Sequence, residues 1–233
     1  MKILAFGAHP GDVETACFGT LSRCVQREDE VVVCSLTNGE LAPSKLTSED
    51  LKMVRMVESA QACAVIGASF CTMDIEEMKV NELDDSQLSK ICSLIRSTRP
   101  DLIITHSENE RHPDAVQTSR IVRRAALLST LDSYPDELPA LKDLPLLYYM
   151  DSIDALDSKN LIFVDVGSSF ELKMKAVGCH TSQMEIREGV QYIDLLQMIE
   201  IIGSYRGLQC GIRMAEAFIV APSSLRSTAR YLP

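Results

Sequence analysis

Short apolar runs alternate with amphipathic segments along this chain, and that alternation limits its fold more than any other feature. Ile3–Phe6, Val31–Leu36 and Leu102–Thr105 are bounded by glycine or by polar residues, which is typical of buried strands. Helical patterns follow such runs, as in Thr15–Arg27 and Leu51–Ile66. Strands that alternate with helices predict a mainly parallel sheet covered by helices on both faces. We therefore predict the α/β fold class.

The length and composition of the chain further restrict the kind of protein that it can be. The 233 residues are enough for one α/β domain, so we expect a single domain over 1–233 with a loosely ordered polar tail at 223–233. The net charge of −10 would repel a phosphate backbone, so we expect no nucleic-acid partner. No apolar run approaches the roughly 18 residues of a membrane span, and because the N-terminus enters a strand directly we expect no signal peptide. Because the eight cysteines contain no C-x-x-C pair, we expect reduced thiols in a cytoplasmic protein.

Polar side chains follow two of the predicted strands at the point where a helix begins. His9 and Asp12 come after the first strand, and His112 and Asp114 come after the strand Leu102–Thr105. Such residues commonly cap a helix, and capping alone would explain either turn. The carboxyl ends of parallel strands, however, form the edge at which open α/β sheets bind ligands. The repetition of the pattern therefore favours a pocket for a metal or a polar small molecule.

Six ordered patterns make the chain similar to the LmbE-like, or PIG-L, family. They are Ala8-His9-Pro10-x-Asp12-Val13-Glu14, Thr37-x-Gly39-Glu40, Arg55-x-x-Glu58, Arg111-His112-Pro113-Asp114, His180-x-Ser182-Gln183 and Ala215-Glu216-Ala217-Phe218. The resemblance implies a Rossmann-like three-layer fold. It also implies a zinc-dependent N-deacetylase of N-acetylglucosamine-type amides.

The resemblance also assigns roles to single residues. His9 and Asp12 match two zinc ligands of the family, while His112 and Asp114 match the histidine that stabilises the oxyanion and the carboxylate that orients it. We assign Glu40 and Arg55 to substrate binding. In such a site, three protein ligands leave one zinc position open for a water, a carboxylate deprotonates that water, and a histidine stabilises the tetrahedral intermediate.

Two positions depart from the family pattern. Gly11 stands where the family has its general base, and Ala115 stands where it has its third metal ligand. A general base contributes about 10²–10⁴-fold to rate, and zinc sites rarely work with two protein ligands. We therefore expect weak or absent zinc and doubtful standard activity. Glu14 is a candidate replacement for the base, and His106 or Glu40 for the ligand.

Three functions remain open at this point. The chain is a hydrolase with an altered site, a non-catalytic descendant that binds a ligand or partner, or the catalyst of another reaction, such as hydration, on the same scaffold. In each case the expected ligand is a small molecule, such as an amino-sugar derivative. The resemblance also implies a homo-oligomer, with the apolar helix predicted over Tyr192–Ser204 as a candidate interface. The acidic loop from Asp74 to Asp85 is expected to be a solvated surface.

Overall fold

A computed structural model describes residues 1–151, 161–187 and 194–221, and within them the chain alternates strands with helices as predicted. The strands are β1 Lys2–Gly7, β2 Glu30–Thr37, β3 Ser69–Ile75, β4 Leu102–Thr105, β5 Leu146–Met150, β6 Leu161–Asp165 and β7 Ala215–Val220. The helices are α1 Asp12–Gln26, α2 Ser48–Ile66, α3 Asp85–Thr98, α4 Pro113–Leu128, α5 Phe170–Val177, α6 Thr181–Arg187 and α7 Leu195–Cys210. The tail predicted at 223–233 lies outside the described residues.

The strands form one sheet in the order β3-β2-β1-β4-β5-β7-β6. Strands β1 to β5 pair in parallel, whereas β7 is antiparallel to both β5 and β6. The chain leaves β1 toward β2 and later returns to β4 on the other side of β1. The strand order thus reverses between β1 and β4, and this is the position at which open α/β sheets form a ligand crevice.

Apolar side chains cover both faces of the sheet, because successive residues of a strand point in opposite directions. Ile3 belongs to the cluster on the face that α1 and α5 cover, and Leu4 belongs to the cluster on the face that α3 and α4 cover. All of these strand residues are fully buried. The α/β three-layer architecture with a mainly parallel sheet is therefore confirmed.

A carboxylate from β7 completes the backbone hydrogen bonding of α1. The helix is interrupted at Cys17, whose φ of −142° is not helical, so the turn after it has backbone N–H groups without partners in the helix. Glu216 accepts from the N–H of Gly19 at 2.9 Å and of Thr20 at 2.7 Å. The Nζ of Lys173 in α5 donates to the same carboxylate at 2.6 Å, and both side chains are buried. This buried group ties the first helix to the last strand.

The helix predicted over Tyr192–Ser204 corresponds to α7, which begins at Leu195 and ends at Cys210. Ile199 is buried against the core, whereas Ile201, Tyr205 and Leu208 are exposed. The homo-oligomer stays a prediction, and sedimentation velocity is expected to give a species larger than the 25.8 kDa chain. A single 25.8 kDa species at all concentrations would contradict it.

One short helix was not predicted from the sequence. Helix α6 was not predicted, since its seven residues are too few to show a helical period. Among the described residues, no helix is long and apolar enough to cross a membrane.

Candidate functional site

The turn between β1 and α1 folds back on itself and presents His9 and Asp12. Gly11 has a φ of 95°, a conformation that glycine adopts without steric penalty. The Asp12 carboxylate accepts a hydrogen bond from the backbone N–H of His9 at 2.8 Å. The same oxygen, Oδ2, lies 3.5 Å from Nδ1 of the His9 ring.

The turn between β4 and α4 places His112 against that first turn. His112 caps α4, with its Nδ1 accepting the N–H of Asp114 at 3.3 Å, and Pro113 stands in the first turn, where its missing N–H is not needed. The rings of His9 and His112 meet edge to face, with centroids 4.5 Å apart. The structure therefore brings together the two polar turns, as expected from the shared edge of the sheet.

A cavity of about 310 Å³ opens beside these turns. His9, Asp12, His106 and His112 line one part of it. An ion pair lines another part, in which the guanidinium of Arg206 donates to both carboxylate oxygens of Asp151 at 2.7 and 2.9 Å. The cavity is thus mixed in charge, which suits a polar small molecule.

Asp12 lies between two histidines and stabilises their charged forms. Nε2 of His106 is 3.1 Å from Oδ2 of Asp12, and its Nδ1 is 3.4 Å from the Glu110 carboxylate. Burial lowers the pKa of His106, but the hydrogen bonds to Asp12 and Glu110 outweigh it and raise that pKa to about 9. Burial raises the pKa of Asp12, but His106 and His9 outweigh it and hold that pKa well below its usual range. The Asp12 carboxylate is therefore held between two imidazole rings, and the backbone N–H of Ala8 also donates to Nε2 of His106 at 3.0 Å.

Asp114 connects His9 to the loop that follows β3. Its Oδ2 lies 3.1 Å from Nε2 of His9 and accepts the backbone N–H of Met78 at 2.8 Å. Burial lowers the pKa of His9, but the hydrogen bonds to Asp114 and Asp12 outweigh it and raise that pKa to about 10. Asp114 thus orients His9 here, whereas the resemblance assigned it to the orientation of His112; that catalytic role of His112 and Asp114 stays a prediction.

The family's zinc site does not fit the residues present. Ala115 lines the cavity but has no donor atom, and Oδ2 of Asp12 is already in contact with His106. At position 11, a β-carbon added to the glycine would lie 2.7 Å from both the amide nitrogen and the amide oxygen of Gln183. The Gln183 amide thus occupies the space next to Gly11 and donates to the carbonyl of Pro10. A carboxamide is not a base, so neither missing function is replaced at its own position.

The three candidate replacements are all committed to other contacts. Glu14 is buried away from the cavity and its Oε1 lies 3.1 Å from Nε2 of His180. One oxygen of Glu40 accepts the backbone N–H of Glu77 at 2.6 Å. Of the three, only His106 lines the cavity, where it contacts Asp12.

The two residues assigned to substrate binding lie behind the cavity rather than in its wall. Arg55 is buried and donates to the carbonyl of Gly39 at 2.7 Å, and burial lowers the pKa of its guanidinium. Glu40 holds the loop after β3 through Glu77. The assignment of Glu40 and Arg55 to substrate contact stays a prediction.

The pattern His180-x-Ser182-Gln183 holds the turn between β1 and α1 from the start of α6. Glu58 of α2 accepts the backbone N–H of Ser182 at 2.8 Å and its hydroxyl at 2.6 Å, which fixes the start of α6. His180 pairs with Glu14, and Gln183 reaches Pro10. These residues therefore position the turn of His9 and Asp12 and do not belong to the cavity wall.

Glu77 is the residue that sequence reasoning missed most plainly. The loop from Asp74 to Asp85 was expected to be a solvated surface, but Oε1 of Glu77 lies 3.8 Å from Nε2 of His9, and its side chain is only 14% exposed. The expectation is thus wrong for Glu77. The one available signal was its place after the carboxyl end of β3, at the same edge of the sheet as the other turns.

Comparisons with known proteins agree with this architecture. The sequence model of the PIG-L family, described as GlcNAc-PI de-N-acetylase, matches residues 4–126, which is more than half of the chain. The chain is 24% identical to a diacetylchitobiose deacetylase of Thermococcus kodakarensis over 95% of this chain and 83% of that protein. The conserved protein TT1542 of Thermus thermophilus superposes with a TM-score of 0.82 at 24% identity, over 97% of this chain and 96% of the other. GalB of Pseudomonas putida, a 4-carboxy-2-hydroxymuconate hydratase, gives 0.83 at 19% identity over 98% and 99%.

Proposed function

From the premise that this chain belongs to the PIG-L family, we propose that it binds a small amino-sugar-type molecule in the His9–His112 cavity without N-deacetylation by the family's zinc route. The observation that supports this proposal most directly is the absence of a side chain at position 11. Gly11 has no side chain, and the Gln183 amide fills the adjacent space, so the carboxylate that would deprotonate the attacking water is missing.

The second loss affects the same reaction step. Ala115 leaves the family's metal site with His9 and Asp12 alone; these two contact each other, and Asp12 also contacts His106. A general base supplies about 10²–10⁴-fold and zinc activation of water supplies more. Loss of both functions removes the generation of the nucleophile, so acetate release is expected to fall to the background rate.

Binding, in contrast, requires groups that the cavity keeps. Imidazole rings, carboxylates and the paired Arg206 offer donors and acceptors to hydroxyl and amide groups, and Ile199 and Ile202 supply apolar contact. The diacetylchitobiose deacetylase and the family description make an N-acetylated amino sugar the first ligand to test. Such a ligand would be bound and released unchanged.

Two measurements with two N-acetylated sugars test this proposal. N-acetylglucosamine and N,N'-diacetylchitobiose are expected to raise the melting temperature of the protein, since a ligand at 100 times its Kd stabilises the folded state by about 2.7 kcal/mol. Mass spectrometry is expected to recover the sugar fully acetylated after incubation with added zinc. His112→Ala, which changes the cavity wall, should reduce the thermal shift, whereas Arg111→Ala at the exposed neighbour should not.

The opposite results would each contradict the proposal. Catalytic acetate release that His9→Ala abolishes would show that the altered site still hydrolyses amides. The absence of any thermal shift with both sugars would remove the amino-sugar class as the ligand.

Acid–base catalysis is a second candidate, and His106 is the observation that favours it. This histidine lines the cavity between the carboxylates of Asp12 and Glu110, whose hydrogen bonds raise its pKa to about 9 and so favour the protonated form that a general acid requires. The addition of water to an unsaturated acid would use such a donor. Loss of the ultraviolet absorbance of a conjugated unsaturated dicarboxylate, abolished by His106→Asn, would support this candidate, and an unchanged absorbance would exclude that substrate class.

A further inference from the structure

We propose that a divalent cation binds at a site displaced from the family's zinc position, held by His9, Glu77 and His112. One ligand atom from each of these side chains lies within 4.8 Å of the others. The displaced site shares His9 with the family's site but replaces Asp12 and the missing third ligand by residues from two other loops. It shares the cavity wall with the proposed amino-sugar binding, but its test uses the metal alone and does not depend on that binding.

The distances between the three side chains suit a single bound ion. Oε1 of Glu77 is 3.8 Å from Nε2 of His9, and the His9 and His112 rings have centroids 4.5 Å apart. Ligands that bind zinc at about 2.0–2.2 Å in tetrahedral geometry lie roughly 3–4 Å from one another. Small side-chain rotations would therefore close the three groups around an ion without movement of the backbone.

The surrounding contacts orient Glu77 and His9. The backbone N–H of Leu41 donates to Oε2 of Glu77 at 2.9 Å, so Oε1 is the oxygen that turns toward His9. On His9, Oδ2 of Asp12 lies 3.5 Å from Nδ1, so the opposite nitrogen, Nε2, is the one that faces Glu77. The contact of this Nε2 with Oδ2 of Asp114 at 3.1 Å would give way to the ion. A hydrogen-bonded second layer of this kind orients ligands and commonly changes metal affinity 10–100-fold.

The donor set indicates which cation the site would take. Two imidazoles and one carboxylate form a set used by catalytic zinc sites, and imidazole nitrogen disfavours magnesium and calcium, which prefer oxygen. His9 and His112 both line the cavity, so a ligand in the cavity could reach an open coordination position on the ion. A cation here would engage His112, the residue that the resemblance assigned to the oxyanion.

Zinc titration of the full chain, followed by competition with a chromophoric chelator, tests the site. The unmodified protein is expected to bind one zinc ion per chain, and Glu77→Gln should weaken binding at least about 100-fold, since it removes a direct ligand rather than an outer partner. Glutamine keeps an oxygen to accept the Leu41 N–H, so the loop should retain its conformation. Glu76→Gln, at the exposed neighbour in the same loop, is the matched control and should leave the affinity within about twofold.

Asp12→Asn separates the displaced site from the family's site. If the ion is held by His9, Glu77 and His112, this variant should weaken zinc binding much less than Glu77→Gln does. The spectrum of Co²⁺ bound in place of zinc should change with Glu77→Gln and His112→Asn. No zinc binding by the unmodified chain, equal affinity in Glu77→Gln, or a loss confined to Asp12→Asn would each overturn the proposal.

Discussion

Replacement of Lys173 by methionine is expected to lower the free energy of unfolding by about 3–5 kcal/mol, because it leaves a buried carboxylate without its cation. The Nζ of Lys173 lies 2.6 Å from Oε1 of Glu216, and the two side chains are only 4% and 3% exposed. Methionine has a similar length and fills the space. The decrease in the free energy of unfolding therefore reports the loss of the charge pair rather than a loss of packing volume. Urea unfolding followed by circular dichroism gives the quantity directly.

Lys175→Met is the matched control for this experiment. Lys175 lies on the same helix but is exposed, so its replacement should change the free energy of unfolding by no more than about 0.5 kcal/mol. Glu216 also accepts the N–H groups of Gly19 and Thr20. A loss below about 1 kcal/mol in Lys173→Met would mean that these two donors satisfy the carboxylate without the lysine.

Ala115→His is expected to raise zinc affinity at least about 100-fold, since it supplies the third ligand of the family's pattern. The β-carbon of Ala115 belongs to the wall of the same 310 Å³ cavity as His9 and Asp12, which leaves room for an imidazole ring. The zinc affinity of this variant should fall when Asp12 is also replaced, and it should no longer fall when Glu77 is replaced. Ala115→Gln, of comparable size but a poor zinc ligand, is the control and should not raise the affinity.

Deacetylation is not expected to return with Ala115→His alone, because the general base is still absent. Gly11→Asp meets two obstacles: the left-handed backbone costs a non-glycine residue about 1–2 kcal/mol, and Gln183 occupies the adjacent space. The base therefore returns only if the turn changes conformation and Gln183 moves. Acetate release by Ala115→His without a change at Gly11 would show that another carboxylate of the site serves as the base.

The fold and the meeting of the two polar turns follow from local sequence. Apolar runs such as Ile3–Phe6 and Leu102–Thr105 specify strands, and parallel strands place the turns after them at one edge of the sheet. His9 and His112 therefore had to lie near each other, whatever the details of their side chains. This part of the site depends only on strand order and direction.

The rest of the site depends on contacts that no local pattern encodes. Glu77 faces His9 because Glu40, Leu41 and Asp114 hold its loop, and each of these comes from a distant part of the chain. The position of Gln183 beside Gly11 likewise requires the start of α6 to be fixed by Glu58. The conformation of such loops is determined by tertiary hydrogen bonds, which leave no periodic pattern in the sequence. The acidic residues of these loops therefore look like exposed residues when only the sequence is known.

The contact between Glu216 and the turn after Cys17 has a consequence for synthesis of the chain. The carboxylate is 197 residues from Gly19, and at about 5–20 residues per second it is translated roughly 10–40 s later. Throughout that interval the nascent chain already contains β1, the strand around which the sheet is built, and the helix α1 that packs on it. The backbone N–H groups of Gly19 and Thr20 in the middle of α1 still lack their acceptor, the Glu216 carboxylate. The hydrogen bonding of α1 is therefore completed only after β7 has been synthesised, at a late step in the folding of the chain.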